Sequence, residues 1–326
     1  MNNKQNLARY SWAILAYTII VILWGAFVRA TGSGAGCGRH WPTCNGDIIP
    51  RPESIETLIE FSHRLSSSFL GLLAIALLVW VWRLYPPQHR TRRAAALSFF
   101  LILVEGLIGA ALVRLELVAD NDSSARAIVM GLHLINTLIL TACLTITSWW
   151  LSGKPPLRWR PLTPAHYLMG IALGAMLILS AFGAITALGD TLFPHATIAD
   201  DFNPASHFTV RFRIWHPLIA IATTVYIISI SRAILLPTAT PDQTKLIYIT
   251  STLLIIQLLA GVINIVLRAP VWLQLLHLLL ANAIWISLVL LTAHLIAAHP
   301  PDQQIKLSHS MNGYKTHKPN QVIIKE

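Results

Sequence analysis

The sequence predicts an all-α membrane protein with eight transmembrane helices arranged as two pseudo-symmetric four-helix bundles. Hydrophobic residues make up 55% of its 326 residues and charged residues only 12%, and the mean hydropathy of +0.60 is far above that of a soluble domain. A helix needs roughly 20 apolar residues to cross about 30 Å of hydrocarbon. A single signal peptide would give one short apolar segment, so a soluble protein is excluded and the first stretch is expected to remain as an anchor. Eight stretches of sufficient length lie at residues 11–30, 63–85, 94–115, 127–151, 164–188, 215–236, 246–267 and 272–297.

The basic residues predict the orientation of these helices in a bacterial inner membrane. Fifteen of the 24 Lys and Arg residues fall on the side that holds both termini, and the nine on the other side are all Arg. Because basic loops stay in the cytoplasm, both termini are expected to be cytoplasmic. The net charge of +10 is spread over these loops, which argues against nucleic-acid binding. The outer Arg residues are expected to pair with specific groups such as carboxylates.

A proline-rich linker at 152–163 divides the chain into two halves with four spans each. It separates an N-terminal bundle at 1–151 from a C-terminal bundle at 164–299. The polar residues at 300–326 are expected to form a flexible cytoplasmic tail.

The spans of the two halves resemble each other in order. Span 2 opens with FSHRLSSSFLG and span 6 with IWHPLIAIA, span 3 contains EGLIGAALVRLEL and span 7 QLLAGVINIVLRAP, and span 4 has GLHLINTLIL where span 8 has LLHLLLANAI. A repeat in the same order predicts two bundles related by an axis along the membrane normal. In each half a long outer loop joins the first two spans, at about 31–62 and 189–214.

Four histidines recur at matching places in these spans: His63, His133, His216 and His277. Imidazole is costly in a lipid-embedded helix, so a membrane histidine indicates function. The pattern places His63 and His216 in the first turn of their helices and the other two about six residues further in, so all four are expected in the outer third of the membrane. Two imidazoles that face each other inside a bundle are suited to hold a heme iron, and two pairs predict two heme sites. The alternative is that each ring hydrogen-bonds a backbone carbonyl of a neighbouring helix.

The loop after span 1 adds two cysteines and leads to an acidic residue. Cys37 and Cys44 lie on the oxidising side of the membrane, which predicts a disulfide; a zinc site that includes His40 is the alternative. Glu60 precedes His63 by three residues and shares a helix face with it if span 2 begins early enough. Glu60 is therefore either a catalytic carboxylate beside the first heme site or a solvated loop acid.

These segments together resemble the heme A synthase family, which bacteria and mitochondria share. The most specific parts are VRATGSGAGCGRHWPTCNG, the Glu60-x-x-His63-Arg64 segment and the other three membrane histidines. The resemblance implies oxidation of the C8 methyl group of heme O to a formyl group through successive hydroxylations. The product would be heme A for terminal oxidases.

The resemblance also implies different tasks for the two histidine pairs. In the family the C-terminal bundle holds a heme b cofactor, which maps to His216 and His277, and the N-terminal bundle takes the substrate, which maps to His63 and His133 with Glu60 beside them. Heme O is then the substrate, a heme O synthase is a candidate partner, and a homo-oligomer remains an open option. Some family members have a second cysteine pair between spans 5 and 6; this chain lacks it, so only the first pair carries over.

Two other functions remain as alternatives. A di-heme b-type electron-transfer protein often carries two histidines on one helix, whereas each of these spans offers one. A heme transporter is expected to have broken helices or charged groups near the membrane midplane, whereas the candidate ligands here lie near the outer face.

Overall fold

The computed structural model describes residues 3–51, 54–157 and 162–297, which form a bundle of long helices. Eight of these helices are long and apolar enough to cross a membrane, which confirms the eight predicted spans. Linker residues 158–161 and the chain from 298 on, including the expected flexible tail, lie outside the described residues. The helices are α1 (Asn3–Ala30), α2 (Ile55–Leu84), α3 (Arg90–Arg114), α4 (Ser124–Leu151), α5 (Pro164–Leu192), the short α6 (Ile198–Phe202), α7 (Phe208–Ile230), α8 (Pro241–Val266) and α9 (Val271–Ile296).

Helices α1, α2 and α7 begin seven or eight residues before the apolar stretches that predict them. The Ser54 hydroxyl caps α2, and the ring of His207 caps α7. A cap satisfies free N–H groups at the helix start, so the helix can continue out of the hydrocarbon through polar residues. The prediction that His63 and His216 lie in the first turn is therefore wrong, because each lies eight residues beyond the first residue of its helix.

The helices pack into two apolar cores that share α4. In the N-terminal half α1 and α3 each contact α2 and α4, and in the C-terminal half α5 and α8 each contact α7 and α9. Helix α4 also contacts α5 and α9, so Leu140 and Leu144 belong to the first core while Leu138 belongs to the second. The domain boundaries and the pseudo-symmetry of the halves stay predictions.

Hydrogen bonds between buried polar side chains and neighbouring helices hold these cores in register. Trp285 Nε1 on α9 donates to Leu138 O on α4 over 2.7 Å, and the hydroxyls of Ser11 on α1 and Ser148 on α4 lie 2.6 Å apart. Polar groups are costly where water is excluded, so such bonds determine how the helices face each other. The Trp285 bond joins the two halves directly.

Replacing Trp285 by Phe should loosen the junction between the halves. The change keeps an aromatic ring at a position that is 3% exposed but removes the donor, and a hydrogen bond of this kind contributes about 1 kcal/mol. We expect a lower thermal unfolding midpoint for the detergent-solubilised protein. Trp272→Phe is the matched control, because Trp272 is 60% exposed and its replacement should leave the midpoint unchanged. Equal midpoints for W285F and the wild type would show that this bond does not hold the halves together.

Candidate functional site

Four histidines lie at the same end of the bundle, in two pairs. His63 on α2 and His133 on α4 belong to the N-terminal half, and His216 on α7 and His277 on α9 to the C-terminal half. They lie six to nine residues into their helices, which at 1.5 Å per residue is about 9–14 Å from the helix starts. His63 interacts electrostatically with His133, and the ring centres of His216 and His277 are 6.3 Å apart at an interplanar angle of 71°. The structure thus brings the two members of each pair together.

Glycines on neighbouring helices make room for three of these rings. A Cβ atom on Gly25 of α1 would lie 3.0 Å from His63 Cε1, and one on Gly183 of α5 would lie 2.9 Å from His216 Cε1. Gly261 of α8 does the same for the second ring of the C-terminal pair, at 3.3 Å. A larger residue would have to push the ring aside, because packed interiors do not absorb an added methyl group without a shift.

The ring nitrogens of the four histidines have unused bonding capacity. Nδ1 of every ring is buried and has no hydrogen-bond partner among the described residues; the backbone of Leu179 interacts with His216 but outside hydrogen-bond geometry. The alternative of a ring directed at a backbone carbonyl therefore applies at most to His216 among the four. Two imidazoles on opposite sides of one metal atom, with metal–nitrogen bonds of about 2 Å, have ring centres roughly 6 Å apart, and the C-terminal pair has this spacing. These residues fit a heme iron.

An acidic residue absent from the predicted site belongs to the N-terminal pair. Glu105 lies within α3 with its Oε1 3.2 Å from His133 Nδ1, and Asn136 and Thr137 both donate hydrogen bonds to its carboxylate. It also interacts electrostatically with His63. The signal that could have found it is the carboxylate itself, since an ionisable group inside an apolar span indicates a functional site.

Glu60 is buried, so the alternative of a solvated loop acid is wrong. The residue is 3% exposed, and its Oε2 accepts a hydrogen bond of 2.8 Å from Cys37 N. Its Oε1 accepts from Arg64, whose Nε lies 3.1 Å away. Helix α2 begins early enough to place Glu60 one turn before His63, so the carboxylate joins the helix that carries His63 to the loop after α1.

The loop after α1 is closed by a disulfide. Cys37 and Cys44 are bonded to each other and fully buried, so their sulfurs are not the thiolate ligands that the zinc alternative required. Arg64 donates from Nη1 to two carbonyls of the loop, His40 O at 2.6 Å and Thr43 O at 2.7 Å. Glu60 and Arg64 therefore hold the disulfide-closed loop against the first turns of α2.

Two arginines, Arg29 and Arg213, connect helix ends near the C-terminal pair. Arg213 of α7 lies 2.9 Å from Asp190 of α5 and 3.7 Å from Asp201 of α6, which confirms for Arg213 the expected pairing with carboxylates. Burial raises the pKa of Asp201, and the charge of Arg213 opposes this rise. Arg29 of α1 donates to Gln274 Oε1 of α9 over 2.8 Å and also bonds α5. It therefore links the two halves at the end of the bundle that holds the histidines.

Comparison with known proteins identifies the family. The model of the family described as cytochrome oxidase assembly protein matches residues 8–289. A Thermus thermophilus protein named protoheme IX farnesyltransferase is 46% identical over 291 residues, which are 88% of this chain and 48% of that protein, so the chain spans about half the length of this relative. A Bacillus cereus protein named heme A synthase is 42% identical over 128 residues, which are 39% of this chain and 40% of that protein. The chain belongs to the cytochrome oxidase assembly protein family.

Proposed function

We propose that the protein is a heme A synthase, which oxidises the C8 methyl group of heme O to a formyl group by successive hydroxylations. Its family and its similarity to a protein named heme A synthase support a role in heme A biosynthesis. The observation that carries the proposal is the presence of two histidine pairs at the same end of the helical bundle, with glycines making room for the rings. One pair suffices for a heme cofactor, and the second provides a place for a heme substrate. In this proposal the bundles are the domains 1–151 and 164–299.

His216 and His277 are assigned to a heme b cofactor. The 6.3 Å between their ring centres would allow both imidazoles to hold one iron. When bound, heme b supplies a one-electron redox centre. The protein sets the two rings: Gly183 admits the ring of His216, and Gln257 Nε2 donates to His277 O over 3.1 Å, which fixes the turn of α9 that carries the second ring.

His63 and His133 are assigned to the substrate heme O, with Glu60 as the catalytic carboxylate. Oxidation of a methyl group releases protons, so an acceptor within hydrogen-bond reach of the reacting carbon's substituents is needed. Glu60 is one helical turn from His63 and is shielded from solvent. Its oxygens bind Cys37 N and Arg64, so its role as proton acceptor or electrostatic stabiliser depends on the loop that holds it.

The protein spans a membrane several times, as its eight apolar helices and its family indicate. We infer that this membrane is the bacterial inner membrane and that both termini are cytoplasmic. The excess of basic residues on the side of the termini supports this orientation. It places the four histidines and the disulfide toward the outer face, where disulfides form.

A second candidate activity comes from the name of the Thermus thermophilus relative, protoheme IX farnesyltransferase. This chain matches 48% of that protein, so farnesyl transfer can reside in the part that has no counterpart here. A farnesylated protoheme is the kind of substrate that a heme A synthase takes. We therefore infer that a protoheme farnesyltransferase is the partner that supplies heme O to this chain. Incubation of the purified chain with protoheme and farnesyl diphosphate, and separately with heme O, distinguishes the two activities by the pigment formed.

The two histidine pairs should fail in different ways when one member is replaced. His216→Ala or His277→Ala should remove most of the tightly bound heme b, because one of the two residues that would hold its iron is lost. His63→Ala or His133→Ala should abolish heme A formation from added heme O and leave much of the heme b spectrum. Extraction and chromatography of the hemes measure both outcomes, with the exposed His195→Ala as control. If all four substitutions deplete the same heme equally, the assignment of the pairs is wrong.

Gly183→Ala should weaken the retention of heme b. Its Cβ would lie 2.9 Å from His216 Cε1, so the ring must shift and the heme-to-protein ratio of the purified protein should fall severalfold. Gly174→Ala on the same helix is the matched control, because a Cβ there meets nothing within 4 Å. Equal heme content in the two variants would argue that the position of the His216 ring does not matter for heme binding.

Glu60→Gln should block heme A formation while the heme b content stays near normal. The amide keeps the shape of the side chain and removes its charge, and loss of a proton acceptor typically costs about 10²-fold or more in rate. Hydroxylated heme should accumulate in the extracts. Glu56→Gln, at an exposed position in the first turn of α2, should behave as wild type.

Because Glu60 also holds the loop, mass spectrometry of unreduced peptides should accompany that assay. An intact Cys37–Cys44 bond in the Glu60→Gln variant shows that the loop is still closed. Wild-type heme A formation by such a variant would remove Glu60 from the catalytic residues.

A further inference from the structure

The surroundings of the two histidine pairs differ in one side chain at corresponding positions. The α3 segment EGLIG begins with Glu105, and the corresponding α8 segment QLLAG begins with Gln257. Helix α3 packs against α4, which carries His133, and α8 packs against α9, which carries His277. A carboxylate therefore lies beside one pair, and a neutral amide takes its place beside the other.

Glu105 is surrounded by hydrogen-bond donors. Its Oε1 lies 3.2 Å from His133 Nδ1, Asn136 Nδ2 donates to Oε2 over 2.5 Å, and the Thr137 hydroxyl donates to Oε1. The ring of His133 is outside hydrogen-bond geometry at its present angle, but the separation is that of an ion pair. The two hydrogen bonds from Asn136 and Thr137 reach different oxygens of the carboxylate and fix its position beside the ring of His133.

Gln257 makes a different set of contacts. Its Nε2 donates to the backbone carbonyl of His277 over 3.1 Å, while its own Oε1 and His277 Nδ1 are both buried without a hydrogen-bond partner in the described part of the chain. The amide therefore holds the backbone of α9 and leaves the ring alone. It adds no charge to the C-terminal pair.

The difference matters for any iron that the rings hold. A carboxylate that accepts the Nδ1 hydrogen of a metal-bound imidazole fixes the ring orientation and makes the ring a stronger electron donor. A negative charge near iron also stabilises the ferric state relative to the ferrous state, and this effect is larger inside a protein than in water.

We propose that Glu105 is a positioning residue for His133. We also propose that the carboxylate of Glu105 at one site and the amide of Gln257 at the other give the two heme sites different reduction potentials, with the lower potential at the N-terminal pair. The inference rests on the proposed function insofar as the N-terminal pair takes a heme. It assigns to α3 a second carboxylate of the substrate site, which acts through the ligand rather than on the substrate.

Redox titration of the purified full-length chain loaded with hemin tests this proposal. The wild type should show two components in the absorption change. Glu105→Gln should raise the lower potential and leave the higher one in place, with about a tenfold change in the ferric-to-ferrous ratio, equivalent to 59 mV for one electron. Gln257→Glu should lower the higher potential. Glu116→Gln is the matched control, because Glu116 is a loop carboxylate that is 59% exposed and pairs with Arg39, and it should move neither component.

A conservative variant separates charge from shape. Glu105→Asp keeps the charge, so its lower potential should stay near the wild-type value. This should hold even if Glu105→Gln loses hemin from the N-terminal site. Three results would overturn the proposal: an equal shift in Glu105→Asp and Glu105→Gln, a single component in the wild type, or a shift of the same component in Glu105→Gln and Gln257→Glu. None of these readouts needs heme A, so a chain that shows the shifts but forms no heme A from heme O would contradict the proposed function alone.

Discussion

An imidazole inside a membrane-spanning bundle needs a partner for each of its ring nitrogens, because the hydrocarbon around the bundle offers no water. Four rings lie in such surroundings here, and Nδ1 of each is buried without a hydrogen bond. A polar group left unpaired in such surroundings costs about 1–3 kcal/mol, so four buried imidazoles at one end of the bundle indicate a functional site. Gly25 and Gly183 lie beside two of these rings, because the rings need space between closely packed helices.

The loop after α1 and the N-terminal pair form one physical unit. The loop lies against Glu60, and it is held there by Glu60 Oε2, which accepts from Cys37 N, and by the donors of Arg64. The disulfide between Cys37 and Cys44 closes the part of the loop that makes these contacts. The negative charge of Glu60 is paired with the positive charge of Arg64 within about one turn of α2, close to His63.

The two histidine pairs differ in local chemistry. The N-terminal pair has two carboxylates near it, Glu60 and Glu105, whereas the C-terminal pair has the amide of Gln257. A site that must take up and release a substrate can use such charges for proton transfer and for ligand orientation. In the proposed assignment the C-terminal pair retains a cofactor, and such a site needs mainly shape and two rings at a suitable spacing, such as the 6.3 Å between His216 and His277.

Length, apolarity and repeated spacing are local properties that hydrocarbon thickness and ring chemistry relate directly to structure. The number of spans, the four histidines and the cysteine pair were therefore predictable from the sequence. The sequence did not determine where α2 begins, since a Ser54 cap rather than hydropathy sets that start. Only the tertiary structure buried Glu60 and brought Glu105 to His133, because these contacts join residues on different elements of the chain. Their partners depend on how helices and loops pack, and no periodicity along one helix records which neighbour its faces meet.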